Sequence, residues 1–129
     1  MKKFPVSLFL LALSFFLGGC DDGVALPTAT SVEILPTHRV LKDVRKIEEL
    51  RQFIAGLSGG WHRSPVTQRA PQLTVEVRSG DLISAHIYIG EDWVSVSLAG
   101  DTGGFFSKNP PERVLSAQER AQLMKLFSP

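Results

Sequence analysis

Cysteine occurs once in this chain of 129 residues, at position 20. A disulfide within one copy is therefore excluded, and so is a zinc site built from several thiolates. Small domains outside the reducing cytosol often rely on disulfides; this chain, in any compartment, has to hold its core by burial alone. Long apolar runs are scarce as well. The best candidate, Val6 to Leu17, covers about a dozen residues against the roughly 20 that a membrane-spanning helix needs. Charge of one sign is missing too, with 14 basic and 13 acidic side chains. A nucleic-acid partner would require a basic stripe that is absent, so none is expected. There is no internal repeat, no Gly-Lys-Ser/Thr phosphate loop and no Gly-x-Ser-x-Gly elbow; Leu57-Ser58-Gly59-Gly60 falls at a helix end instead.

What is present at the start of the chain is a pattern. Met1-Lys2-Lys3 is basic, the segment to Leu17 is apolar, and the small residues Gly18 and Gly19 precede Cys20. A charged start, a short apolar middle and small residues describe an export signal that is removed. Leu17-Gly18-Gly19-Cys20 resembles the lipobox of bacterial lipoprotein precursors. The resemblance implies that the Cys20 sulfur receives a diacylglycerol, that a lipoprotein signal peptidase cuts before it, and that the freed amine is acylated. Leu17, Gly18 and Gly19 would then be the signal-peptidase recognition residues. Two or more acyl chains make a stable anchor, each buried CH₂ contributing about 0.8 kcal/mol. Asp21 resembles the retention signal that keeps enterobacterial lipoproteins in the inner membrane. The implied location is the exported face of a bacterial cell membrane, the periplasmic side of the inner membrane in a Gram-negative host. No other cofactor is expected.

Removal of Lys2 and Lys3 with the signal leaves 12 basic against 13 acidic side chains. Residues 1–19 are thus expected as signal peptide and 20–30 as lipidated N-terminus and tether, leaving 31–129 as one α+β domain. The stretch 21–30, DDGVALPTAT, is small, proline-containing and aperiodic. A flexible chain of that length spans on the order of 18 Å r.m.s., which would hold the domain close to the headgroups.

Within the domain, Val32 to Leu35 suits a short strand stopped by Pro36. Asp43 is placed to cap a helix with Val44, Ile47, Leu50, Phe53, Ile54 and Leu57 on one face, ended by Gly59-Gly60. Three segments then alternate apolar and polar residues, around 73–78, 83–89 and 93–98, as half-buried antiparallel strands do. A three-residue loop, Arg78-Ser79-Gly80, would set Val75 opposite Ile83 and Leu73 opposite Ala85. A Gly90-Glu91 turn would set Ile87 opposite Val94 and Tyr88 opposite Trp93. Phe105-Phe106 suits a further short strand. Ser116 and Glu119 have capping-box spacing before a helix carrying Arg120, Leu123, Met124 and Phe127. The expected fold is α+β: a small antiparallel sheet, a three-stranded meander with one or two short additions, under two amphipathic helices on one face.

Few residues point to chemistry. Asp101-Thr102-Gly103 invites comparison with the Asp-Thr-Gly loop of aspartic proteases. The apolar residues expected before the aspartate are Ala99 and Gly100, so a glycine-rich turn is the better account. His38, His62 and His86 are spaced by 24 residues, which is no coordination motif, and no metal is expected. Trp61 is expected to close the core after the first helix. Tyr88 and Trp93, beside His86 on a serine-rich face, are candidates for a contact patch toward an envelope protein or glycan. The rival function is a small envelope hydrolase or ligand-binding enzyme using His86 with Ser84 or Ser95.

Overall fold

The computed structural model describes residues 23–63, 69–99 and 110–128. Asp43 starts the first helix, α1 (Val44–Gly56): its carboxylate accepts the Arg45 amide hydrogen at 3.0 Å. Ile47, Leu50 and Ile54 are buried along its inner face, Leu57 follows, and Phe53 is partly covered. Val44, expected on that stripe, points to solvent at 79% exposure. The helix stops at Gly56, before the glycine pair; Gly59 and Gly60 then take φ of 76° and 81° and redirect the chain.

Six strands form one antiparallel sheet: β1 (Ser31–Leu35), β2 (Arg39–Leu41), β3 (Leu73–Ser79), β4 (Leu82–Ile89), β5 (Trp93–Leu98) and β6 (Glu112–Val114). Their order is β2-β1-β3-β4-β5-β6. The α+β class, the antiparallel sheet and the two helices are as the sequence predicts, but the sheet is wider. Strands β2 and β6 extend it at both edges, and three residues apiece are too few to show a period. The outer side of β6 is occupied by His62, which exchanges two backbone hydrogen bonds with Glu112 at 2.9 and 2.8 Å. The Phe105-Phe106 strand lies outside the described residues.

Both hairpin registers differ from expectation. Strands β3 and β4 pair Leu73 with Ile89, Val75 with Ile87 and Val77 with Ala85. The loop is Gly80-Asp81, with Gly80 at φ 61°. Beyond it the pairing slips by one between Val77 and Arg78, leaving Ser84 as a bulge whose hydroxyl donates to the Val77 carbonyl at 3.1 Å. The bulge restores apolar-to-apolar pairing after a turn that alone would have put the wrong faces together. In the next hairpin Tyr88 lies opposite Ser95 and Ile87 opposite Val96. Gly90 is a strand partner of Trp93 (amide to carbonyl, 2.9 Å) rather than a turn residue. The indole requires it, since a Cβ on Gly90 would sit 1.9 Å from Trp93 Nε1.

One face of the sheet carries Val32, Ile34, Val75, Val77, Ala85, Ile87, Ile89, Val94 and Val96, which share a single core with α1 and the second helix. That helix, α2 (Ala117–Leu126), opens on the expected capping box: Ser116 Oγ accepts the Glu119 amide hydrogen at 3.1 Å and Glu119 Oε1 accepts that of Ser116 at 2.9 Å. Leu123 and Phe127 enter the core. Arg120 instead binds the Gly90 carbonyl at 3.2 Å and Gln72 Oε1 at 2.7 Å, tying α2 to the sheet end.

The backbone bond from Ser116 and the Arg113 guanidinium hold the Glu119 carboxyl below its ordinary range. Its folded pKa is therefore below the unfolded one. The stabilisation is fully present above the ordinary glutamate range and is lost as pH falls through the lowered value. A Ser116→Ala variant is expected to lose about 1 kcal/mol at neutral pH. The deficit of Glu119→Gln should shrink on acidification, as urea titrations at neutral and acid pH will show.

The segment expected as a tether is packed from Val24 onward. Leu26 is buried in the core at 4% exposure, with Val24 and Ala29 against it. Arg51 Nε donates to the Leu26 carbonyl at 3.3 Å. Thr30 donates its amide to the Arg78 carbonyl and accepts the Gly80 amide hydrogen at its hydroxyl, both at 2.9 Å. Among the described residues no helix is long and apolar enough to cross a membrane.

Candidate functional site

The sheet face away from the helices carries Glu33 on β1, Glu76 and Arg78 on β3, His86 and Tyr88 on β4, Trp93, Ser95 and Ser97 on β5, and Glu112 on β6. Period-two alternation puts these side chains together, and the pairing order decides which ones touch. Glu33 stands directly opposite Glu76 across the β1–β3 ladder, an unfavourable juxtaposition of like charges. Arg78 relieves it, with one guanidinium nitrogen 2.8 Å from Glu76 Oε1 and 3.7 Å from Glu33 Oε1.

All three histidines of the chain lie against carboxylates of this face. His38 Nδ1 is 2.9 Å from Glu33, His86 Nε2 is 3.6 Å from Glu76, and His62 Nε2 is 3.4 Å from Glu112. His38 and His62 remain largely in solvent, with 72% and 55% of their side chains exposed, and only His86, at 17%, is largely covered. Glu112 is also 3.9 Å from Arg69. These carboxylates are engaged by cations rather than converging on an open position. Among the described residues no three His, Cys, Asp or Glu side chains are placed to hold a metal ion.

The proposed contact residues separate. Trp93 is only 3% exposed, its ring over Gly90 and under the Arg69 guanidinium, 4.9 Å from the ring centroid. It builds the face but offers no surface to a partner. Tyr88 and His86 are half-buried and stack on each other, with ring centroids 5.8 Å apart and planes 18° apart. Trp61 packs against the core, as expected, and its indole N–H donates to the Leu57 carbonyl at 2.6 Å. Ser84 and Ser95 donate their hydroxyls to the Val77 and Pro111 carbonyls at 3.1 and 3.0 Å. The residue opposite His86 on β5 is the buried Ser97. Leu17, Gly18, Gly19, Cys20 and Asp21, and the Asp101-Thr102-Gly103 loop, lie outside the described residues.

Glu33, Glu76, Arg78, Arg69 and Glu112 were not singled out from the sequence. Alternation along β3 does place Glu76 and Arg78 on the polar face, but Glu33 joins them only through the pairing of β1 with β3, more than 40 residues away.

Burial, with a further contribution from Glu76, raises the Tyr88 hydroxyl pKa above its ordinary value. Tyr88 is the single tyrosine of the chain, so an ultraviolet pH titration reads it alone. In Glu76→Gln the midpoint should move down yet stay above that of free tyrosine, because burial is the larger cause. With the folded pKa raised, the neutral phenol's contribution to stability is complete below the unfolded value and is lost as pH rises through the folded one.

No family model, no curated protein and no solved structure matches this chain.

Proposed function

We propose that this is an exported bacterial lipoprotein whose α+β domain serves as a non-enzymatic binding or accessory module. Cleavage before Cys20, a diacylglycerol on its sulfur and an acyl group on its amine would hold it on the exported face of the cell membrane. Asp21 would favour the inner membrane in a Gram-negative host. The observation that carries this reading is the order Lys2-Lys3, apolar run, Leu17-Gly18-Gly19-Cys20, with the chain's only thiol at the position the modification needs. The partner would be an envelope protein or glycan meeting the polar sheet face at the partly exposed Tyr88 and His86. Stacked aromatic rings beside fixed carboxylates offer both an apolar plate and hydrogen-bond acceptors. The buried Trp93 is withdrawn from that surface.

Mass spectrometry of the native product tests the anchor. Residue 20 should be the N-terminus and carry lipid, and Cys20→Ala should leave the membrane fraction. An unmodified residue 20, or an intact Met1 end, would refute it. For the sheet face, Tyr88→Ala should retain its fold and lose crosslinked partners recovered from native membranes; undiminished recovery would remove Tyr88 from the site.

A further inference from the structure

Beside the exit of the N-terminal segment lies an open groove of about 310 Å³. Its walls include Val24, Ala25, Trp61, Val96, Leu98 and Pro111. We infer that this groove and its rim are the surface by which the domain sits on the bilayer, and that the molecule has a fixed membrane-facing pole. The inference rests on the anchor at Cys20 proposed above and adds an orientation to it.

Three observations converge on that pole. Only three residue steps separate Cys20 from Gly23, a reach of about 10 Å even when fully extended. The chain has no slack beyond that point, because Leu26 is buried, its carbonyl is held by Arg51, and Thr30 is bonded to Arg78 and Gly80. The domain therefore cannot swing on a ten-residue leash; whatever surrounds Val24 is pressed against the interface where the acyl chains enter. What surrounds Val24 is mostly apolar, with Arg63 as its one charged wall and a half-buried tryptophan whose N–H is already satisfied by Leu57. An aromatic ring of this kind, with aliphatic neighbours, suits the boundary between headgroups and acyl chains. The occupant of the groove is thus the interfacial layer of the same bilayer that holds Cys20. The Gly90–Trp93 end of the sheet becomes the distal pole, about 10–17 Å along β5 from the groove residues Val96 and Leu98 at the strand rise.

The two tryptophans report the orientation without a foreign probe. Trp61 lines the groove, whereas Trp93 lies at the far end of β5 on the other sheet face. Lipidated full chain, purified from membranes, is reconstituted into phosphatidylethanolamine–phosphatidylglycerol vesicles containing a lipid that bears a quencher at headgroup depth. The protein should float with the vesicles, its emission should be quenched, and Trp61→Phe should remove most of the quenched component, leaving a Trp93 signal quenched several-fold less. In parallel, wild-type amides of 61–63 should exchange more slowly on vesicles than in unlipidated Cys20→Ala, while those of 91–92 are unchanged. Protein that floats but shows equal quenching of both tryptophans, or protection at 91–92 instead, overturns the orientation and leaves the anchor standing. Protein that does not float overturns both.

Discussion

Replacing Gly90 by alanine should destabilise the domain by about 1–3 kcal/mol, the usual cost of forcing extra atoms into a packed site. The methyl group would stand 1.9 Å from Trp93 Nε1 and 2.1 Å from Cε2, so the indole must move. Gly90 does not have a positive φ, which leaves sterics as the cause. A displaced Trp93 also gives up its contact with Arg69. The melting temperature should fall by roughly 5–20 °C for a domain of this size, with Trp93 emission shifted to the red. A double-mutant cycle isolates the contact: in a Trp93→Val background, Gly90→Ala should cost nothing, and can gain about 0.5–1 kcal/mol from the better strand residue. An unchanged penalty there would show that the glycine serves something other than the indole.

Leu26→Ala is the second large effect, expected at about 2–4 kcal/mol as for other buried leucines. Had residues 21–30 been a free linker, the same substitution would cost close to zero, so the measurement separates a docked segment from a loose one. Urea unfolding of residues 20–129 carrying Cys20→Ala and made without the signal segment, with and without the leucine, gives the number. In the variant, proteolytic nicking between Val24 and Ala29 should become faster under native conditions, because the segment is then held only by the Arg51 bond, the Thr30 bonds and the partial packing of Val24 and Ala29.

Helices were the most legible part of the sequence because their signals are local. Asp43 and the Ser116–Glu119 box act within one turn, and the apolar stripes repeat over a few residues. Strands β3, β4 and β5 were legible as alternation, yet their registers were not. A bulge at Ser84 and the match of Trp93 to Gly90 each moved the pairing, and neither follows from turn statistics. Strands β2 and β6 exist because the neighbouring strand offers free backbone groups, not because three residues declare a strand. Leu26 looked like a linker residue since nothing near it in sequence is periodic; its burial is created by α1 and the sheet. The ion network had the same obstacle. Glu33 and Glu76 are remote in the chain, and only the β1–β3 pairing makes Arg78 necessary between them.

The two borders of the sheet would matter if Cys20 confines the chain to a membrane, as proposed. Molecules confined to a leaflet meet one another far more often than free ones, and long bare strand borders would then nucleate chain-to-chain polymerisation. Here one border is three residues long and begins at a cationic Arg39 drawn inward to the Phe127 carbonyl, and the other is sealed by His62. On the anchored reading proposed above, copies would share a leaflet with little bare strand border to offer one another.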